Sequence, residues 1–264
     1  MVYGLPDSGA GWGRIYRHGL SNLQRWILPA RCIACGGDAI RRASGQVASS
    51  LPLDLCPACY DALPLNDHAC RRCALPLPTA RTDLLCGRCL VKPPRYQTSL
   101  CAYHYGYPLQ HLIRHLKYHD ALSHAQVLGT LLADYLLERR TGAWPECFVP
   151  TPLHSSRYRS RGYNQVIELG KYVQRGLQVQ MRTDLVVRAR NTVEQAGLSR
   201  RARRSNLRRA FVTTAVTMPK HIAILDDVVT TGSTVNELSR ILAAAGAEQI
   251  EVWGLARATT RKTS

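Results

Sequence analysis

Acidic residues are scarce in this chain: 18 Asp and Glu stand against 35 Lys and Arg in 264 residues, a formal charge of +17. Net charge governs encounter more than fold, so the imbalance points to a polyanion or a phosphorylated molecule as partner. Lysine is scarce as well, with 5 against 30 arginines, an excess that reflects either a GC-rich genome or the bidentate phosphate contacts that arginine's planar fork suits. No apolar run approaches the roughly 20 residues that a membrane-spanning helix needs, and the N-terminus has no continuous apolar core of the signal-peptide type. The expectation is a cytoplasmic protein with no membrane span. No GxxxxGK(S/T) occurs, which excludes a Walker A phosphate loop. A hydrophobic content of 45% excludes disorder as the main state and allows one full core with a small appendage, or two modest domains.

Cysteine, by contrast, is abundant. Eight of the ten cysteines form four CxxC pairs: Cys32 and Cys35, Cys56 and Cys59, Cys70 and Cys73, Cys86 and Cys89. Two residues between thiolates let a tight knuckle offer both sulfurs to one tetrahedral zinc, and each zinc takes two knuckles. Four pairs make two sites, built either sequentially as tandem ribbons or in a crossed arrangement. Disulfides are the competing reading, disfavoured where thiols are kept reduced. All positions are filled by Cys, so the expected zinc is structural and supplies folding energy to a segment with little apolar content. Arg41, Arg42, Arg71, Arg72 and Arg88 lie among the knuckles and are read either as solvated arginines of a docking module or as nucleic-acid contacts. Residues 1–29 are read as an N-terminal segment with a short amphipathic helix at 20–28, residues 30–92 as a double zinc-ribbon domain, and residues 93–264 as a further domain.

From Tyr107 onward helical and strand patterns alternate. Leu109, Leu112, Ile113 and Leu116 share one helix face; Leu128, Leu131, Leu132, Tyr135 and Leu136 share another; Tyr163, Val166, Ile167, Gly170 and Val173 a third. Strands are expected at ECFVPTPL, DLVVRAR, HIAILDD and EQIEVWGLA, and a helix at VNELSRILAAAG. Alternation of this kind indicates an α/β fold with a parallel sheet. His111, His115 and His119 recur every four residues on one helix face, a stripe read as surface or packing histidines rather than a metal site.

The stretch ILDDVVTTGST, residues 224–234, stands apart from ordinary structural patterns. An apolar strand runs into Asp226 and Asp227 and then into a cup of small residues leading to a helix, expected to begin near Thr234. Helix N-termini offer unpaired N–H groups to an anion, and in parallel sheets ligands sit beyond the carboxyl ends of strands. The carboxylates would repel a phosphate, so a vicinal diol or its magnesium is their natural partner. Diol plus phosphate describes a ribose 5-phosphate.

This stretch closely resembles the binding motif for phosphoribosyl pyrophosphate (PRPP) in type I phosphoribosyltransferases. HLIRHLKYHD, VPTPLHSSRYRSRGYNQ, EQAGLSRRARRSNLRRAF and the terminal VWGLARAT, with the cysteine-rich head, resemble the ComF family of competence proteins. The resemblance implies a type I phosphoribosyltransferase-like parallel sheet flanked by helices, occupying residues 93–264, behind a small N-terminal zinc-ribbon domain of all-cysteine sites. By it, Asp226 and Asp227 contact the ribose hydroxyls with Mg²⁺, and Thr230, Thr231, Gly232, Ser233 and Thr234 hold the 5′-phosphate. Arg157, Arg159 and Arg161 fall where it places the pyrophosphate loop. Residues 151–210 hold 14 Lys and Arg against 3 acids, and Arg200, Arg201, Arg203, Arg204, Arg208 and Arg209 are read as a hood over the site or a patch for a DNA strand. The implied function is handling of single-stranded DNA during natural transformation, beside a competence helicase or other DNA-processing partner. A Mg²⁺-dependent phosphoribosyltransferase of nucleotide salvage is the alternative, and the motif leaves turnover open.

Overall fold

The structure, a computed structural model, describes residues 31–39, 54–78, 84–118, 122–153, 155–188, 210–215 and 217–259. The expected helix at 20–28, Arg41, Arg42, His119 and the basic run from Arg200 to Arg209 lie outside the described residues, as do the side chains of 155–157.

Two one-turn helices, α1 (Pro57–Asp61) and α2 (Gly87–Val91), belong to the cysteine-rich head. Strand β1 (Thr98–His104) precedes helices α3 (Leu109–Tyr118) and α4 (Leu122–Arg139). Then come β2 (Cys147–Pro150), α5 (Ser155–Arg161), α6 (Gln165–Leu177), β3 (Gln180–Met181), β4 (Val186–Arg188) and β5 (Phe211–Thr213). The chain continues through β6 (His221–Val229), α7 (Ser233–Ala244) and β7 (Gln249–Arg257). Five strands form a parallel sheet in the order β1-β7-β6-β2-β3. This is the α/β architecture expected: a parallel sheet flanked by helices. The expected strand DLVVRAR departs from that sheet, since β4 pairs antiparallel with β5 in a separate two-stranded ribbon. Strands β1, β3 and β5 carry no clear alternation of apolar and polar residues and were not expected.

The sheet is covered on both faces, which is why its strands read as apolar runs rather than alternating ones. In β6, Ala223 and Leu225 join the layer of α3, α4 and α6, while Ile222 and Ile224 join the layer of α7 and the β4-β5 ribbon. Leu109, Leu112, Ile113 and Leu116 of α3 are all buried, as their spacing predicts. Helices α4 and α6 meet through small residues: a Cβ on Gly129 would stand 2.6 Å from the Leu169 carbonyl oxygen, and one on Gly176 would stand 2.6 Å from Ala133 Cβ.

The head closes the outer edge of the sheet. Leu65 bridges antiparallel to Tyr103 of β1, and the N–H groups of Asn66 and His104 donate to the carbonyls of Ala102 and Pro64 at 2.9 and 2.7 Å. Asn66, almost fully buried, also donates from Nδ2 to the carbonyls of Ala74 and Cys101, each at 3.1 Å. An open β1 edge would otherwise present a row of unpaired backbone groups.

Candidate functional site

Strand β6 is longer than expected, running through both acids to Val229, and the helix after it begins at Ser233. Gly232 takes φ +74° at the N-cap, a conformation that disfavours any side chain. Within the loop the Thr231 hydroxyl meets the Ser233 hydroxyl at 2.8 Å and accepts the Ser233 N–H at 3.3 Å.

The two acids differ in surroundings. Asp227 is buried; its Oδ2 lies 2.8 Å from Lys117 Nζ and accepts from Gln165 Nε2 at 3.2 Å. Burial resists the charge on Lys117, but the Asp227 carboxylate wins and holds the ammonium above its ordinary pKa. Asp226 accepts a backbone N–H from Asp227 at 3.0 Å. Burial first, and the Asp227 carboxylate second, push Asp226 up to about 8, against the pull of Lys117.

Both acids open onto a cleft of about 850 Å³. Thr230 and Thr234 line it, as do Arg161, Lys117, Gln165 and Thr151. Of the basic residues expected in a pyrophosphate loop, Arg161 faces this cleft, donating to Gln165 Oε1 at 3.0 Å with its guanidinium 4.9 Å from the Tyr118 ring centre. Arg159 is exposed and does not line it, and the three arginines sit on helix α5 rather than on an open loop. Thr231, Gly232 and Ser233 face the other side of the loop. Asn164, buried, fastens the cleft wall: Nδ2 donates to the Thr151 carbonyl at 3.1 Å, and Oδ1 caps α6 at the Val166 N–H at 3.0 Å.

The cysteines form two tetrads, Cys32, Cys35, Cys56, Cys59 and Cys70, Cys73, Cys86, Cys89, with the sulfurs of each within 4.8 Å of one another. The pairs are therefore joined sequentially, not crossed. Tetrahedral zinc with Zn–S near 2.3 Å separates its sulfurs by about 3.8 Å; Cys35 and Cys56 stand at 3.8 Å and Cys73 and Cys86 at 3.5 Å. Backbone amides also point at the sulfurs, Cys59 N–H to Cys56 at 3.4 Å and Cys86 N–H to Cys70 at 3.3 Å. A hydrogen bond from Cys73 and the backbone amides of Cys86, Cys73 and Arg72 hold the Cys70 thiol down to about 4 against its burial. The donor set fits zinc in both tetrads. Among the described residues these are the two groups able to hold a metal in this way.

Residues 23–90 match the sequence profile of a double zinc ribbon domain. Competence protein F of Haemophilus influenzae is 35% identical over 237 residues, covering 86% of this chain and 97% of that protein. The chain belongs to the ComF family. Another relative, the DNA utilization protein YhgH of Escherichia coli K12, is 38% identical over 206 residues, 77% of this chain and 90% of that protein. Among solved structures, the allosteric regulatory enzyme of purine biosynthesis aligns over 50% of this ComF chain and 25% of its own length, at 16% identity and a TM-score of 0.33. That likeness is too loose to carry an argument, and the fold rests on the strand order itself.

In this ComF chain the zinc head is bound to the motif loop by two arginines. Buried Arg257, at the end of β7, donates from Nε to the Cys73 carbonyl at 2.8 Å and from Nη1 to the Val229 carbonyl at 2.7 Å, and also reaches Thr230 and Ala258. Arg88 Nη2 donates to the Thr231 carbonyl at 3.3 Å. Sequence reasoning singled out the segments holding Lys117, Gln165 and Arg257 but assigned those residues no role. A lysine in an amphipathic helix, or an arginine at a strand end, carries no local mark of its distant partner.

Proposed function

We propose that this protein handles single-stranded DNA during natural transformation and that its cleft binds PRPP or a related ribose phosphate. The reading is carried by one observation: Asp226, Asp227, Thr230 and Thr234 share a cleft with the cations Lys117 and Arg161. A diol, a 5′-phosphate and a second anionic group each find complementary chemistry there. The kinship with a protein named Competence protein F supports the biological setting. Asp226, which accepts only a backbone N–H among the described residues, would hold Mg²⁺ together with the ribose hydroxyls. Bound magnesium would neutralise phosphate charge and act as a template. Asp227, engaged by Lys117 and Gln165, keeps that lysine oriented toward the cleft.

The test is transformation of a host carrying Asp226→Asn in place of the wild-type gene. Expected is normal uptake of labelled duplex DNA with transformant yield reduced on the order of tenfold or more; wild-type yield would overturn the reading. The second reading, a phosphoribosyltransferase of nucleotide salvage, is favoured by the cationic Arg161 beside the acids, where departing pyrophosphate would be stabilised. Base-dependent release of pyrophosphate from PRPP by the purified protein would select it.

A further inference from the structure

The motif loop has two faces, and only one belongs to the acid cleft. On the other side, between the second zinc ribbon and α7, lies a separate cleft of about 950 Å³ lined by Thr231, Gly232 and Ser233. Its walls carry Arg72, Arg88, Lys92 and Arg95 from the ribbon and its exit segment, and none of the four has a carboxylate partner among the described residues. Arg72 reaches the Pro94 carbonyl at 3.3 Å, yet its Nε is buried with no hydrogen-bond partner among the described residues. On the α7 side, Glu237, the acid of the cleft lining, is taken up by Arg240 at 2.8 Å. Unneutralised cations gathered in a concave surface raise local anion concentration, and an orphaned guanidinium N–H calls for an acceptor.

We propose that this cleft binds the phosphodiester backbone of a single strand, and that its occupancy opposes that of the acid cleft. The proposal rests on the strand-handling reading and places the strand. Opposition follows from the shared wall: Thr230 and Thr234 face one ligand, Thr231 to Ser233 the other, and both anions draw on the same N-terminal dipole of α7. Arg88 ties the strand cleft to the shared loop, since it lines that cleft and donates to the carbonyl of Thr231, next to Thr230. Binding of ribose phosphate would thus favour release of the strand, and linkage makes the effect reciprocal.

The test uses the full-length, zinc-loaded protein and a labelled oligo(dT) of about 20 nucleotides, longer than the roughly 4–16 that a single-strand binding fold covers. Arg72→Gln/Arg88→Gln/Lys92→Gln is expected to weaken binding at least about tenfold at low salt and to reduce the slope of log affinity against log salt by about 2. The control Lys171→Gln/Arg175→Gln on α6 is expected to leave both nearly unchanged. Should the triple variant lose zinc, Arg95→Gln/Arg240→Gln, outside the metal knuckles, decides the same question. Saturating Mg²⁺–PRPP is expected to weaken the strand about fivefold. No strand binding by the wild type would sink the strand-handling reading itself. Strong wild-type binding with unchanged affinity and slope in the cleft variants would overturn the placement alone, and an unchanged strand affinity with PRPP demonstrably bound would overturn the opposition.

Discussion

Lys117 stands 2.8 Å from the buried Asp227, and truncating it strands a carboxylate inside the protein. Breaking such a pair from one side costs about 3–5 kcal/mol; the low end applies because a fifth of the lysine side chain is exposed. Lys117→Gln is therefore expected to lower the urea-unfolding free energy by about 3 kcal/mol, with Lys117→Gln/Asp227→Asn recovering most of it in a double-mutant cycle. Asp226 makes the opposite kind of prediction. Its folded pKa, near 8, lies above the unfolded carboxylate value, so the native state holds the proton more tightly. Its contribution is fully present below the unfolded pKa and is lost as pH rises through the folded one. Metal-free wild type should lose thermal stability between pH 5 and about 9 relative to Asp226→Asn, and parallel melting curves for the two would contradict the assignment. At this scale the acid pair and the hydroxyl cup were legible because they are contiguous. Lys117 was not, because only the fold brings the end of α3 within reach of Asp227 on β6.

Helices α3, α4, α6 and α7 and strands β2, β6 and β7 could be read from periodicity, since each buries one continuous apolar face or run. Strand β1 escaped because Ser99 and Cys101 share its buried residues and its edge is satisfied by the zinc head, a distant partner. DLVVRAR was legible as a strand but not as part of a separate ribbon, because strand propensity does not name the partner. Gly129 and Gly176 were silent in sequence, although they set how closely α4 approaches α6. Gly129→Ala would drive a methyl against the Leu169 carbonyl at 2.6 Å, and backbone does not yield as a flexible side chain does. A loss of about 1–3 kcal/mol is expected, read as a lower denaturation midpoint at unchanged slope; a neutral result would show that the helices separate freely.

Across the whole molecule the zinc head acts as a cover and a brace. It pairs with β1, contributes Cys32, Leu55 and Leu63 to the same apolar cluster as α3 and α4, and touches the motif loop through Arg88 and Arg257. The tetrads were legible from CxxC spacing; their use as an edge cap was not, because edge pairing depends on the register of Leu65 with Tyr103. Chelation of both zincs is expected to lower the melting temperature by about 10 °C or more and to promote aggregation through the opened β1 edge, detected by calorimetry and light scattering. A chelated protein that melts unchanged would show that the head adds nothing to the sheet. The central claim, a ribose-phosphate pocket at the acid cleft, is tested most directly by calorimetric titration of Mg²⁺ and PRPP into zinc-loaded wild type and into Asp226→Asn, a variant that leaves the Lys117 pair intact. Saturable, magnesium-dependent binding by the wild type, weakened at least about tenfold in the variant, is the predicted result. Folded wild type that takes up no PRPP, or a variant that binds it equally well, would contradict the account.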